Sequence, residues 1–93
     1  MQHKKIAASL FSALKSGKAL TPITETHPGI SIDDAYKISL AFLDLRVVKN
    51  NEKIVGKKIG VTSKAVQDML GVFQPDFGFL TDGMAVLDGR VNV

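Results

Sequence analysis

The sequence predicts a mixed α/β (α+β) fold in which helices come first and short strands follow. Three observations predict this class. Apolar residues recur at helical spacing in the first half, a β-branched segment lies near the middle, and Asp88-Gly89 gives a hairpin-turn signal near the end. With 93 residues, 45% of them hydrophobic, the chain can bury one modest core, so a single segment over residues 1–93 is expected.

The first predicted helix covers residues 3–16, because apolar residues recur every four positions from Ile6 to Leu14. Helices often end at a glycine in the left-handed conformation, and Gly17 supplies one here. The following stretch, residues 18–29, shows no period and contains two prolines. It is therefore expected to be an irregular connection.

A second helix is predicted over residues 31–48. Ser31 and Asp34 have the spacing of a capping box, in which each side chain bonds the backbone N–H of the other. The apolar stripe of this helix is so wide that we expect it to be covered on more than one side. The helix should stop at Asn50-Asn51, since asparagine tolerates left-handed geometry.

The middle of the chain predicts a strand followed by a short helix. The segment of residues 54–61 is short and has β-branched residues at both ends, as is typical of a strand. Thr62 or Ser63 can then cap a helix over residues 63–70, which Gly71 should end.

The last part predicts turns and a hairpin. Residues Gln74 to Gly78 have the composition of a turn. Asp88-Gly89 is a strong two-residue hairpin signal, so strands are expected over residues 84–87 and 90–93.

Composition excludes several classes of function. The absence of cysteine rules out disulfides, thiolate metal sites and cysteine nucleophiles. No apolar run approaches the roughly 20 residues needed to span a bilayer, and the start does not resemble a secretory signal, so no membrane partner and a cytoplasmic location are expected. The net charge of +3 is spread along the chain, which gives no support for a nucleic-acid partner.

Lys58 is the candidate with the most chemical interest. In a strand it shares its face with Gly56 and Gly60, so its stem has open space around it. Its ammonium can pair with a carboxylate substrate or be tuned for proton transfer. A strand, a short helix and a returning turn can bring Asp76 back beside it as an acid–base partner.

Ordinary structural roles remain open for these residues. Lys58 can be an edge-strand lysine that discourages sheet-to-sheet association, and Asp76 can be a turn residue. Thr62 and Ser63 can be helix caps rather than ligands. The histidines, His3 and His27, have no partner at metal-ligand or catalytic spacing and are expected to face solvent.

The central segment resembles a known enzyme family. The residues that carry the resemblance are Ile54-Val55-Gly56-Lys57-Lys58-Ile59-Gly60-Val61-Thr62-Ser63-Lys64-Ala65-Val66-Gln67-Asp68-Met69-Leu70-Gly71-Val72, Gln74-Pro75-Asp76-Phe77-Gly78 and Leu80-Thr81-Asp82, with weaker matches at Leu20-Thr21-Pro22 and Ile32-Asp33-Asp34-Ala35-Tyr36. This pattern resembles the 2-hydroxypenta-2,4-dienoate hydratases, also called 2-keto-4-pentenoate hydratases, of the fumarylacetoacetate hydrolase superfamily.

The resemblance implies a hydro-lyase of aromatic-compound degradation that adds water to 2-hydroxypenta-2,4-dienoate and gives 4-hydroxy-2-oxopentanoate. In such enzymes Mg²⁺ or Mn²⁺ holds the 2-oxo acid and stabilises the enolate. By position Lys58 matches the family's active-site lysine and Asp76 its aspartate, for charge stabilisation, proton transfer or activation of water. Thr62 and Ser63 are candidate substrate-binding residues.

The resemblance also implies what these residues lack. The family's metal ligands, a Glu-x-Glu pair and a further acidic residue, have no counterpart here, where the only glutamates are Glu25 and Glu52. The chain is therefore expected to be the N-terminal segment of a hydratase, without the metal-binding part, to bind no metal and to be inactive alone. The resemblance further implies a homo-oligomer, with association to the decarboxylase of the same pathway as a further expectation.

Two alternatives stay open. The first is a 2-oxo-3-hexenedioate (4-oxalocrotonate) decarboxylase, which shares the fold and the lysine-bearing strand with the hydratases. The second is a non-catalytic assembly or binding module that pairs through its apolar helix and an exposed strand edge.

Overall fold

The computed structural model describes residues 2–86, and the chain divides into two compact units, Met1–Asn51 and Glu52–Val93. The predicted mixed α/β class is confirmed. The elements of the described residues are α1 His3–Ser16, α2 Ile23–Thr26, α3 Ile32–Lys49, β1 Ile54–Gly60, α4 Lys64–Leu70, β2 Asp76–Thr81 and a 3₁₀-helix at Asp82–Met84. Within this part of the chain, no helix is both long enough and apolar enough to cross a membrane.

The first unit is built on the packing of α1 against α3. The buried apolar residues among those described in this unit are Ile6 and Ala7 of α1 and Ile38 of α3. The apolar residues packed around them are Leu10, Ile23, Ile30, Ala41, Phe42 and Leu45. Burial of these side chains is the main stabilising contribution to a unit of this size.

The ends of the helices follow the predicted signals. Gly17 ends α1 with a φ of 71°, and Asn51 lies just after α3 with a φ of 53°, both in the left-handed region. At the start of α3 the Ser31 Oγ accepts from the Asp34 N–H at 3.0 Å, while the Ser31 N–H donates to the Asp34 Oδ2 at 3.1 Å. The predicted capping box is thereby confirmed.

Two features of the first unit bear on the sequence prediction: the connection between α1 and α3, and the covering of α3. The connection expected to be irregular contains the short helix α2, Ile23–Thr26, which directs Ile23 toward the core. On α3, Ile38 is buried, whereas Leu40 and Val48 remain 49% and 67% exposed. The second covering layer expected for this helix stays a prediction.

The second unit contains a two-stranded antiparallel sheet of β1 and β2. Its register pairs Gly56 with Leu80, Lys57 with Phe79, Lys58 with Gly78, Ile59 with Phe77 and Gly60 with Asp76, with an irregularity between Ile54 and Gly56. The turn predicted from Gln74 to Gly78 is wrong from Asp76 onward, because those residues belong to β2. Cross-strand pairing outweighs the weak strand propensity of aspartate and glycine.

Helix α4 lies between the two strands in the chain. Ser63 is its N-cap, with the Ser63 Oγ accepting from the Val66 N–H at 3.2 Å, and Gly71 ends it with a φ of 71°. The capping and stop predictions are confirmed, with Ser63 rather than Thr62 as the cap.

The predicted C-terminal hairpin is only partly within the described residues. Met84 ends the 3₁₀-helix, closed by the Ala85 N–H donating to the Asp82 carbonyl, and Val86 is not in a strand. The strand predicted at 84–87 is therefore wrong over its described part, since the local 3₁₀ bond takes the place of a ladder bond. Leu87, the Asp88-Gly89 turn and residues 90–93 lie outside the described residues.

Candidate active site

The two faces of the β1–β2 sheet carry different chemistry. One face bears Lys58 and Asp76 among glycines, and the other bears aromatic and aliphatic side chains. The residues of the first face are Gly56, Lys58, Gly60, Asp76, Gly78 and Leu80. Those of the second are Lys57, Ile59, Phe77 and Phe79.

Lys58 and Asp76 share a face because of the register. Lys58 is directly opposite Gly78, and Asp76 is opposite Gly60, two positions away along each strand. Such diagonal neighbours are typically about 7–8 Å apart between backbones, within reach of a long side chain. The structure therefore places the lysine and the aspartate that the sequence singled out on one face of the sheet, with no hydrogen bond or ion pair between them, and their role as an acid–base pair stays a prediction.

The glycines around Lys58 leave open space, and the backbone conformation does not require a glycine at any of these positions. A Cβ built on Gly60 or on Gly78 meets no atom within 4 Å, and one on Gly56 meets only the Leu80 side chain, at 3.8 Å. None of the three has a left-handed φ, so an alanine would be sterically allowed at each. Gly56, Gly60 and Gly78 together are called the glycine floor of this face. Because they have no side chains, a small ligand can approach the backbone of both strands closely there.

The adjacent lysines differ in their contacts. The Lys57 Nζ lies over two aromatic rings, 4.7 Å from the Phe77 centroid and 5.8 Å from that of Phe79. Lys57 thus has a structural role in cation–π packing. The exposed Lys58 ammonium makes no hydrogen bond or ion pair within residues 2–86, while Asp76, also exposed, does interact with a neighbour.

Strained backbone follows β1. Val61 has a φ of 55°, which is unfavourable for a β-branched residue, and its carbonyl accepts from the Gln67 Nε2 at 2.9 Å. Thr62 and Ser63 follow Val61 in the connection between β1 and α4. Sequence reasoning missed this feature, because valine is among the residues least expected in left-handed geometry.

The two predicted substrate-binding residues lie directly after Val61. Both are exposed, and the Ser63 hydroxyl is engaged as the acceptor of the α4 cap. Their role toward substrate stays a prediction. Glu52, Thr81 and Asp82, at the opposite end of the two strands, form a polar cluster that sequence reasoning also missed.

The predicted solvent-facing histidines are both partly buried and bonded. His3 Nε2 is 2.8 Å from Asp34 Oδ1, and His27 Nδ1 is 2.9 Å from Thr26 Oγ1. The prediction that the histidines face solvent is therefore wrong, most clearly for His3. The His3 hydrogen bond, together with those from Ser31, lowers the pKa of Asp34 to about 2. No signal in the sequence placed His3 beside a residue so distant in the chain.

The described residues do not fit a metal ion. Among residues 2–86, no group of three His, Cys, Asp or Glu side chains is arranged to hold one. Lys58 and Asp76 alone do not make such a site, since a divalent cation such as Mg²⁺ needs several oxygen ligands.

Comparison with known proteins connects this geometry to an enzyme family. No protein-family model matches the chain. A 2-hydroxyhexa-2,4-dienoate hydratase of Comamonas testosteroni is 58% identical over 80 residues, which is 86% of this chain and 30% of that protein. A 2-hydroxypent-2,4-dienoate hydratase of Pseudomonas putida is 49% identical over 86 residues, covering 92% of this chain and 38% of that protein.

Solved structures agree with the fold. The 4-oxalocrotonate decarboxylase from Pseudomonas putida G7, complexed with calcium and acetate, matches with a TM-score of 0.77 and 30% identity, over 88% of this chain and 31% of that one. The same enzyme complexed with magnesium and adipate gives a TM-score of 0.75 with the same coverage.

The chain thus has the fold of a segment of the enzymes that act on small unsaturated organic acids. More narrowly, it is a homologue of the 2-hydroxypentadienoate hydratases, also named 2-keto-4-pentenoate hydratases, as the sequence resemblance indicated. It spans about a third of the length of these relatives, 30% of the Comamonas testosteroni hydratase and 38% of the Pseudomonas putida hydratase.

Proposed function

We propose that this chain supplies the lysine and the aspartate of a hydratase that adds water to 2-hydroxypenta-2,4-dienoate and gives 4-hydroxy-2-oxopentanoate. The observation that carries the proposal is the placement of Lys58 and Asp76 on one glycine-floored face of the β1–β2 sheet. The hydratase names of relatives up to 58% identical support the same chemistry.

In the proposed reaction the dienol first becomes a conjugated 2-oxo acid, and water then adds across the remaining double bond. Oxygen adds to the carbon farther from the oxo group, a proton adds to the nearer carbon, and no oxidation or reduction occurs. Lys58 would hold the substrate carboxylate or stabilise the negative charge that develops on the oxo oxygen. Asp76 would orient water and accept its proton.

The site is proposed to be complete only in a longer form of the protein. Such a form would supply the acidic residues for a divalent cation, in line with the calcium and magnesium complexes of the decarboxylase. We propose that the 93 residues alone are inactive, and that the active protein is a cytoplasmic homo-oligomer associated with the pathway decarboxylase.

The test is a dienoate-hydration assay, with added Mg²⁺ or Mn²⁺, on the longest product of the reading frame that contains this chain. Lys58→Met and Asp76→Asn should each lower kcat by about 10²-fold or more, the range typical of a lost acid–base group. Lys57→Met is the matched control, because Lys57 is the next residue but lies on the other face.

The outcomes distinguish a direct role of Lys58 in the reaction from a general effect on folding. Equal losses in Lys57→Met and Lys58→Met would contradict the assignment, as would full activity in Lys58→Met. Circular dichroism of each variant shows whether a loss of activity comes from unfolding.

A second candidate function is decarboxylation of 2-oxo-3-hexenedioate. The solved structures of 4-oxalocrotonate decarboxylase favour it, with a TM-score of 0.77. The two reactions differ in product, so release of CO₂ from the hexenedioate without hydration of the pentadienoate would favour the decarboxylase.

The third candidate is a non-catalytic assembly module. The exposed apolar side chains favour it, among them Val55 at 66% exposure and, on the face away from Lys58, Ile59 at 60%. If the longest product of the reading frame catalyses neither reaction and self-associates stably, the assembly module becomes the better account.

A further inference from the structure

Glu52 is a buried carboxylate at the start of β1. Its exposure is only 5%, and it accepts a hydrogen bond from the Thr81 hydroxyl, which lies at the end of β2 and is 2% exposed. Gly83 also lies against Glu52, since a Cβ at that position would be 2.5 Å from the Glu52 Oε1 and 2.6 Å from its Cδ. Glu52 is therefore enclosed so tightly that even a methyl group at position 83 would displace it.

A second connection lies beside the first. The Lys53 N–H donates to the Asp82 Oδ1 at 3.0 Å, and the Asp82 N–H donates to the Lys53 carbonyl, also at 3.0 Å. Both connections join the two residues that precede β1 to the end of β2, one to its last residue and the other to the residue after it. They lie beside the Ile54–Thr81 pair, at the end of the sheet where the register is irregular.

The sheet itself specifies its register weakly. One face of it carries Gly56, Gly60 and Gly78, which contribute no side-chain packing. A two-stranded sheet alone is marginally stable, and a slip of one residue moves every side chain of a strand to the other face. Such a slip would separate Lys58 from Asp76.

We propose that Glu52 is a positioning residue, which through its bond to Thr81 fixes the register that holds Lys58 and Asp76 on one face. The link from register to catalysis rests on the proposed function, whereas the control of register does not. Glu52 acts at the far end of the strands and not on substrate, so its effect on the reaction passes through the alignment of β1 with β2.

The register can be measured directly by disulfide trapping in the 93-residue chain, because these residues contain no cysteine. Lys57→Cys with Phe79→Cys forms a pair that is directly opposite in the native register and lies on the face away from Lys58. Lys57→Cys with Leu80→Cys becomes opposite only after a slip of one residue. The measured quantity is the ratio of the two intramolecular cross-linking rates in a glutathione buffer.

Glu52→Ala should lower this ratio about tenfold, the change expected from loss of one buried hydrogen bond. Glu52→Gln should restore most of it, because its amide oxygen still accepts from Thr81. Gly83→Ala should act like Glu52→Ala, and Gly29→Ala, where a Cβ meets nothing within 4 Å, is the matched control.

An unchanged ratio in both Glu52→Ala and Gly83→Ala would overturn the proposal, as would equal ratios in Glu52→Gln and Glu52→Ala. If Glu52→Ala loses its circular dichroism signal, the ratio is read in Thr81→Val, which removes only the hydroxyl. Cross-linking needs no activity, so a collapsed ratio without hydration would contradict the proposed function alone. Hydration with an unchanged ratio would contradict the positioning role alone.

Discussion

Lys58 lies directly opposite Gly78 across the β1–β2 pair, so a hydrogen atom stands where most strand residues would place a side chain against the lysine. The cost of that glycine is a loss of strand stability. Nothing in the backbone requires it, since its φ is not left-handed. The proposed function accounts for the open space by a substrate that enters it.

Replacing Gly78 should separate stability from activity. Gly78→Val should raise the free energy of unfolding by about 0.5–1 kcal/mol, because valine favours a strand and its Cβ meets no atom within 4 Å. In the longest active form the same change should lower kcat/KM at least about tenfold, since misplacement of substrate by 1 Å can cost more. Urea unfolding and the hydration assay check the two effects, with Lys57→Val on the opposite face as the control. Unaltered turnover in Gly78→Val would show that the floor is not used.

Acid should weaken the first unit through Asp34. Its folded-state pKa is lowered to about 2 from 3.8, so its stabilising contribution is present above the ordinary value and is lost as the pH falls through about 2. Asp34→Asn should therefore flatten the pH dependence of helix content between about pH 4 and pH 2. Circular dichroism measures this. Asp33→Asn, which removes an exposed pairing with Lys37 at 3.0 Å, should leave the profile almost unchanged, and equal effects in both variants would refute the role of the His3–Asp34 contact.

Val61 should tolerate glycine better than an ordinary strand valine does. Its left-handed φ of 55° costs about 1–2 kcal/mol, which glycine would relieve. Val61→Gly should thus destabilise the chain by at least about 1 kcal/mol less than Val55→Gly, although Val61 is the more buried of the two. Denaturant unfolding of the pair gives the difference, and a larger loss in Val61→Gly would argue against strain.

The second unit should self-associate through its exposed apolar side chains. Phe73 is 97% exposed and Met69 is 76% exposed. Phe73→Ser should change the free energy of unfolding by less than about 0.5 kcal/mol and yet weaken association. Sedimentation velocity over a range of concentrations measures the association. The control is Gln74→Ser at the neighbouring exposed position, and a concentration-independent monomer for the native chain would contradict the prediction.

Local signals in the sequence predicted the helices well. The capping box of Ser31 with Asp34 and the glycine stops at Gly17 and Gly71 involve residues that bond or adopt their geometry within a turn of one another. Their energies depend little on the rest of the chain, so a sequence pattern is sufficient to find them.

Contacts between distant residues were the ones that the sequence did not predict. Strand β2 exists because Phe77 and Phe79 pair with β1, although Asp76 and Gly78 favour a turn. The Glu52–Thr81 and His3–Asp34 contacts likewise join residues far apart in the chain. Lys58 was found from its flanking glycines, whereas the third glycine of its floor, Gly78, became evident only from the register.

Lys57 and Lys58 are consecutive residues with side chains on opposite faces of one strand. Between Ile54 and Gly56, β1 holds one residue more than β2 does, and the two lysines still keep their faces. A bulge at that place can absorb a change of length that precedes Lys57. Between Lys58 and Gly60 the pairing is regular, so insertion or deletion of one codon there would move Gly60 to the other face, away from Lys58, unless a second bulge formed. The part of β1 in which length matters is therefore the regular stretch from Gly56 to Gly60.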